Sequence, residues 1–103
     1  MTSKEVVARV HAQINGDWSR SNAHGCNLKS CLVEPVQIEY SGINPEDTFE
    51  LWLVLEEDPI KRDVYKIVYD EEEDLFGLAI IDQAGVHMFL GFYGSFLDAF
   101  DGM

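Results

Sequence analysis

Between Thr48 and Glu57 the chain reads TFELWLVLEE, and apolar side chains fall on both parities of the run: Phe49, Leu51, Leu53 and Leu55 on one, Trp52 and Val54 on the other. A half-buried strand alternates apolar with polar, whereas a strand covered on both faces reads as nearly continuous apolar sequence. This stretch therefore predicts a central strand. It is too short to span a membrane, and Asp58-Pro59 marks the turn that ends it.

On either side the periodicity changes from segment to segment. Thr2, with Glu5 three positions later, has the pattern of a capping box and predicts a helix from Ser3 to about Ile14. Val7, Val10, Ile14 and Trp18 recur on one face with Val6 beside them, while Lys4, Arg9 and Gln13 face water. Asn15-Gly16 supplies a stop, and Ser19 to Lys29 is polar and irregular. From Cys31 the period becomes two: Val36, Ile38 and Tyr40 point one way, Gln37, Glu39 and Ser41 the other, with Pro35 at the strand's start or on an edge. Val64 to Asp70, Leu75 to Ile81 and Val86 to Phe92 read as three further strands, separated by Asp70 to Asp74 and by Asp82-Gln83-Ala84-Gly85. Ser95 and Asp98 predict a short helix from Phe96 to Met103, held in place by docking of Phe96 and Phe100 because so short a helix is marginal alone. The sum is a single α+β domain over residues 1–103, an N-terminal helix packed on an antiparallel meander of about five strands with a short C-terminal helix. The alternative within that class is a four-stranded sheet in which Val86 to Leu90 is loop or helix.

Composition adds a core and a charge. At 103 residues, 47% hydrophobic and 12% aromatic, the chain has the content of one packed domain despite a net charge of −12. Nineteen acidic against seven basic side chains argue against nucleic acid or an anionic membrane as partner, since either needs a positive patch, and favour a basic protein. The blander reading of the same charge is solubility and self-repulsion. The first ten residues lack the basic start and apolar core of a secretory signal, which predicts a cytoplasmic protein with Cys26 and Cys31 as thiols.

His11, His24, Cys26 and Cys31 have the residue types of a zinc site, in a spacing that matches no familiar finger. The favoured reading instead puts His11 beside the buried stripe, Cys31 in the core at a strand start, and His24 with Cys26 in a surface loop. A small enzyme would draw on His24, His87 and Cys26 or Cys31, with an imidazole activating a thiol. No nucleophile elbow, phosphate loop, metalloprotease pair or dinucleotide fingerprint accompanies them, and no cofactor is expected. The consecutive carboxylates Asp70, Glu71, Glu72, Glu73 and Asp74 lack the spaced acids and central glycine of a calcium loop and read as a solvated hairpin tip.

Charge geometry says more than these motifs. Turns of an antiparallel meander alternate between its ends, so Glu46 and Asp47 share an end with Asp70 to Asp74, while Asp58, Lys61, Arg62 and Asp82 belong to the other. The acidic end would steer a basic partner. One helix covers one face of the sheet, to which Phe49, Leu51, Leu53, Leu55, Tyr65, Ile67 and Tyr69 are assigned. The other face, with Trp52, Val54, Val64, Val68, Gly77, Ala79 and Phe89, is too apolar for water and predicts a homodimer or a groove for another chain. The functional expectation is a small acidic, non-enzymatic interaction protein, an inhibitor or immunity-type partner of a basic protein. Its alternatives are a metal-binding regulator and a small enzyme.

Overall fold

The computed structural model describes residues 1–22, 25–44, 46–57 and 65–103. Helix α1 spans Ser3–Ile14 and opens on the expected capping box: Thr2 Oγ1 accepts from the Glu5 amide and the Glu5 carboxylate accepts from the Thr2 amide, each at 3.2 Å. It ends at Asn15, whose left-handed backbone (φ 50°) lets its amide donate to the His11 carbonyl. The inward stripe runs through Val6, Val10 and Ile14, with Val7 only half-buried. A helical turn, α2 (Leu28–Cys31), replaces part of the segment expected to be irregular. Asn27 caps it by accepting from the amides of Lys29 and Ser30, and Leu28 is fully buried.

Strands β1 (Leu32–Ser41), β2 (Thr48–Glu56), β3 (Lys66–Asp70), β4 (Leu75–Ile81) and β5 (His87–Gly94) form the meander, and helix α3 (Phe96–Gly102) follows. Each consecutive pair is antiparallel, and the segment from His87 is strand rather than the alternative loop or helix. Helix α3 starts where Ser95 Oγ accepts from the Asp98 amide, and it is docked by Phe96 and Phe100, both fully buried. Gln13 on α1 also accepts from the Phe96 amide at 2.9 Å, joining the two helices. No helix among the described residues is long and apolar enough to cross a membrane.

The sheet closes on itself as a barrel, with β1 and β5 pairing in parallel at Ser41 and Met88. Closure is strongly staggered. Pairing leads from Phe89 through Ala79 and Lys66 to Glu56, whose neighbour Leu55 faces Leu32, yet the adjacent Met88 meets Ser41 at the far end of β1. Irregular register in β1, in β2 and between β4 and β5 supplies the bending, since an unpaired residue increases local twist. Gly77 supplies the room: a Cβ there would lie 2.4 Å from the Gly91 carbonyl oxygen and 2.8 Å from the Phe89 ring.

Closure creates two cores. Inside the barrel lie Tyr40, Leu51, Leu53, Val68, Ala79 and Phe89, with Val33, Ile38 and Phe49 packed against them. Between the barrel wall and the helices lie Val6, Val10, Ile14, Trp52, Val54, Leu55, Ile67, Tyr69, Phe76, Leu78, Phe96 and Phe100, together with Cys26 and Leu28.

This arrangement corrects the expected division of faces. Tyr65, Ile67 and Tyr69 do belong to the helix side, but Phe49, Leu51 and Leu53 turn inward, and Trp52 and Val54 turn to the helices. The phase of β2 is inverted because a run apolar on both parities does not encode which parity meets the helix. Leu55 nevertheless reaches the helix side, through the register shift between Leu53 and Leu55. The set assigned to a dimer face is thus split: Trp52 and Val54 lie under the helices, Val68, Ala79 and Phe89 lie inside the barrel, Gly77 is buried in the wall, and Val64 is outside the described residues. A curled sheet covers its own inner face, so these residues do not form one open surface.

Candidate functional site at the acidic end

Two turns hold the nominated acids. In the first, the Gly42 amide donates to the Asp47 carbonyl at 2.8 Å, and the Asn44 side chain donates to the Asp47 carboxylate at 3.2 Å. In the second, Asp70 Oδ1 accepts from the amides of Glu72 and Glu73 at 2.9 and 3.3 Å, fixing the hairpin by an aspartate turn. Asp74 closes it with a left-handed backbone (φ 53°), which aspartate tolerates better than most residues.

The run Asp70 to Asp74 is not uniformly free. Asp74 accepts from the Tyr69 hydroxyl at 2.6 Å and from Arg9 Nε at 3.0 Å, and these bonds, Tyr69's first, hold its carboxyl below the usual range. Glu71 lies 2.9 Å from the Met1 ammonium and accepts from the Trp52 indole at 3.3 Å and from Gln37 at 3.4 Å. Its carboxyl is likewise held low, first by the ammonium and then by Trp52. These two acids fasten the hairpin to α1 and to the wall. They serve the fold.

The remaining acids face water. Glu46, Asp47, Glu72 and Glu73 are exposed and Asp70 is half-buried. Glu72 and Asp70 line one side of a recess of about 240 Å³ whose other side is Thr48, Phe49, Glu50 and Leu51. The recess exists because β2 pairs with β3 only from Trp52 onward, leaving Thr48 to Leu51 without a β3 neighbour. Glu50 is also the ladder partner of Glu39, and both are exposed. Among the described residues no cation forms an ion pair with Glu39, Glu46, Glu50, Asp70, Glu72 or Glu73. Sequence reading had Glu39 on the wet side of its strand but missed Glu50. Its signal was one polar residue between Phe49 and Leu51, and only the register shows what faces it.

The other nominated residues disperse. His11 is exposed and its ring sits edge-on to Trp18 at 5.0 Å. Cys26 is buried in the helix-side core, not in a surface loop, and Cys31 is half-buried at the end of α2; both are free thiols. Burial, then the neighbouring Cys31, pushes the Cys26 thiol up to about 12, the opposite of what a nucleophile or metal ligand requires. His87 is in the barrel, its ring 5.6 Å from that of Tyr40. His24, Asp58, Lys61 and Arg62 lie outside the described residues. Among the described residues no group of three or more His, Cys, Asp or Glu side chains is arranged to hold a metal ion. Against known proteins, no family model, no curated protein and no solved structure matches this chain.

Proposed function

We propose that this is a small, non-enzymatic interaction protein of the cytoplasm that receives a basic protein partner on the surface carrying Glu39, Glu50, Asp70 and Glu72, acting as an inhibitor or immunity-type partner. The observation that supports this reading is the cross-strand pair Glu39 and Glu50. Like charges directly opposite in an antiparallel ladder cost stability, on the order of 0.2–1 kcal/mol. Here the pair is exposed, and Glu72 and Asp70 stand across an open stretch of β2. Local rules tend to be broken where a surface serves something other than the fold. A basic partner would relieve the repulsion and be drawn in by the field of a chain of net charge −12.

Affinity capture from the native cell tests this, comparing the natural chain with a Glu39→Gln, Glu50→Gln double variant at low and moderate salt. The expected result is a basic protein whose recovery falls as salt rises and falls roughly tenfold with the variant. The variant itself should be a few tenths of a kcal/mol more resistant to urea. A partner held equally by both proteins, or one that is not basic, would remove the reading.

A further inference from the structure

The mouth of the barrel leaves a second feature that the acidic surface does not use. Strand β5 pairs with β1 only at Met88, because β1 ends at Ser41 and turns away through Gly42. From Phe89 to Gly94 the side of β5 toward β1 has no ladder partner among the described residues. Ladder positions that point that way carry amides and carbonyls with no strand to meet them. Beside this edge is an apolar recess of about 330 Å³, lined by Phe49, Phe89, Leu90, Gly91 and Ile43, with Asn44 and Asp47 on its rim. Its floor is aromatic: the Phe49 and Phe89 rings are 5.2 Å apart, and the Phe92 ring is 4.8 Å from Phe89.

The side chains around it are unusually open. Ile43 is 90% exposed and Leu90 45%, and farther along β5 Phe92 is 40% and Tyr93 44% exposed, with Tyr93 lying beside Gly102 of α3. Register shifts in β5 explain the exposure of Leu90 and Tyr93. They fall between the partners of Phe76 and Gly77 and again between those of Leu78 and Ala79, leaving Tyr93 and Leu90 without ladder partners on β4. Bulges of this kind are frequent at barrel rims, where they re-aim side chains.

We infer that this groove, between the turn over 42–47 and the free side of β5, binds an extended segment of a partner chain that alternates apolar and basic residues. The inference rests on the reading of the protein as a receptor for a basic partner, and it adds a second contact outside the acidic surface and the conformation in which the partner meets it. The free backbone side selects an extended chain, since main-chain bonds to a sheet edge need one. The recess takes an aliphatic or aromatic side chain. Asp47 on the rim, with Glu46 beside it in the same turn, selects lysine or arginine on the alternate positions. A second copy of this chain would fit the apolar part but would bring a further net charge of −12 and another Asp47 to the same rim. Charge therefore favours the basic segment.

The probe is a short capped peptide alternating lysine and valine with phenylalanine at its centre, added to the isotopically labelled full chain and followed by amide chemical shifts. Saturable changes at Leu90 to Tyr93 and Gly42 to Asn44 are expected. Methylating every second peptide nitrogen, to remove the edge bonds, should weaken binding roughly tenfold, and so should Leu90→Lys, an exposed change that leaves the fold intact by circular dichroism. The Glu39→Gln, Glu50→Gln variant should keep the same map of shifts. If the peptide instead perturbs Glu39, Glu50 and Glu72 and the methylated form binds as well, the groove is overturned while the acidic-surface reading stands. Absence of binding overturns the groove alone, because the capture experiment decides the other reading separately. Shifts at Leu90 to Tyr93 that depend on protein concentration without peptide would assign the groove to a second copy and overturn the basic segment.

Discussion

Tyr40 is fully buried inside the barrel, yet its hydroxyl has no hydrogen-bond partner among the described residues. Burial first, and Glu56 second, push the phenol well above its ordinary range, so it stays a neutral group without compensation. An unmade bond at a buried hydroxyl costs free energy, and Tyr40→Phe should leave stability unchanged or raise it by about 1 kcal/mol in urea unfolding. A loss of similar size would mean that the hydroxyl is bonded in solution. Lys66 shows the opposite solution: its ammonium is nearly fully buried but lies 3.4 Å from the Glu56 carboxylate. Parity already put Lys66 on the side of Val68 and away from Ile67 and Tyr69. That side was expected to be covered by another chain; what the sequence could not show is that the barrel closes over it, with a lysine inside where a lysine ordinarily marks the side that faces water.

At the scale of elements, legibility follows locality. The bounds of α1 and β4 and the caps at Thr2 and Ser95 were readable, because each is set by residues within one turn or one strand. The phase of β2 and the closure of β1 on β5 were not. They depend on bulges and on contacts between segments far apart in the chain. Gly77 concentrates this dependence. It was legible as a residue without bulk in the sheet, yet the atom that needs its absent side chain is a backbone oxygen of Gly91 on the neighbouring strand. A backbone atom at 2.4 Å cannot swing aside as a side chain could, so β4 and β5 must separate to admit a methyl group. Gly77→Ala should therefore cost about 1–3 kcal/mol in equilibrium unfolding, the usual range of overpacking. A cost below about 0.5 kcal/mol would show that the two strands yield easily and that closure does not hinge on this position.

For the whole molecule, the informative quantity is how few cations there are and where they sit. The opposition of Glu39 to Glu50 was not legible without the register. Seven basic side chains serve nineteen acidic ones, and three of them join separate parts of the fold: Arg9 ties α1 to Asp74 in the hairpin, Arg20 ties the segment after α1 to Asp101 in α3, and Lys66 meets Glu56 across the β2–β3 ladder. Asp74 tests this division. Its folded carboxyl is held below the ordinary 3.8, first by Tyr69 and then by Arg9, so its contribution is complete above the unfolded value and is lost as pH falls through the folded one. Asp74→Asn removes the charge while keeping a residue that accepts the left-handed backbone, so strain does not enter the comparison. With half of the Asp74 side chain in water, screening limits the effect to no more than about 1 kcal/mol. Urea midpoints of the variant should accordingly lie below those of the natural chain at pH 6 and converge with them as the pH falls through the folded value. A difference that stays constant across that range would show that the loss does not come from the charge of the carboxylate, and would take Arg9 out of the set of cations that hold the molecule together.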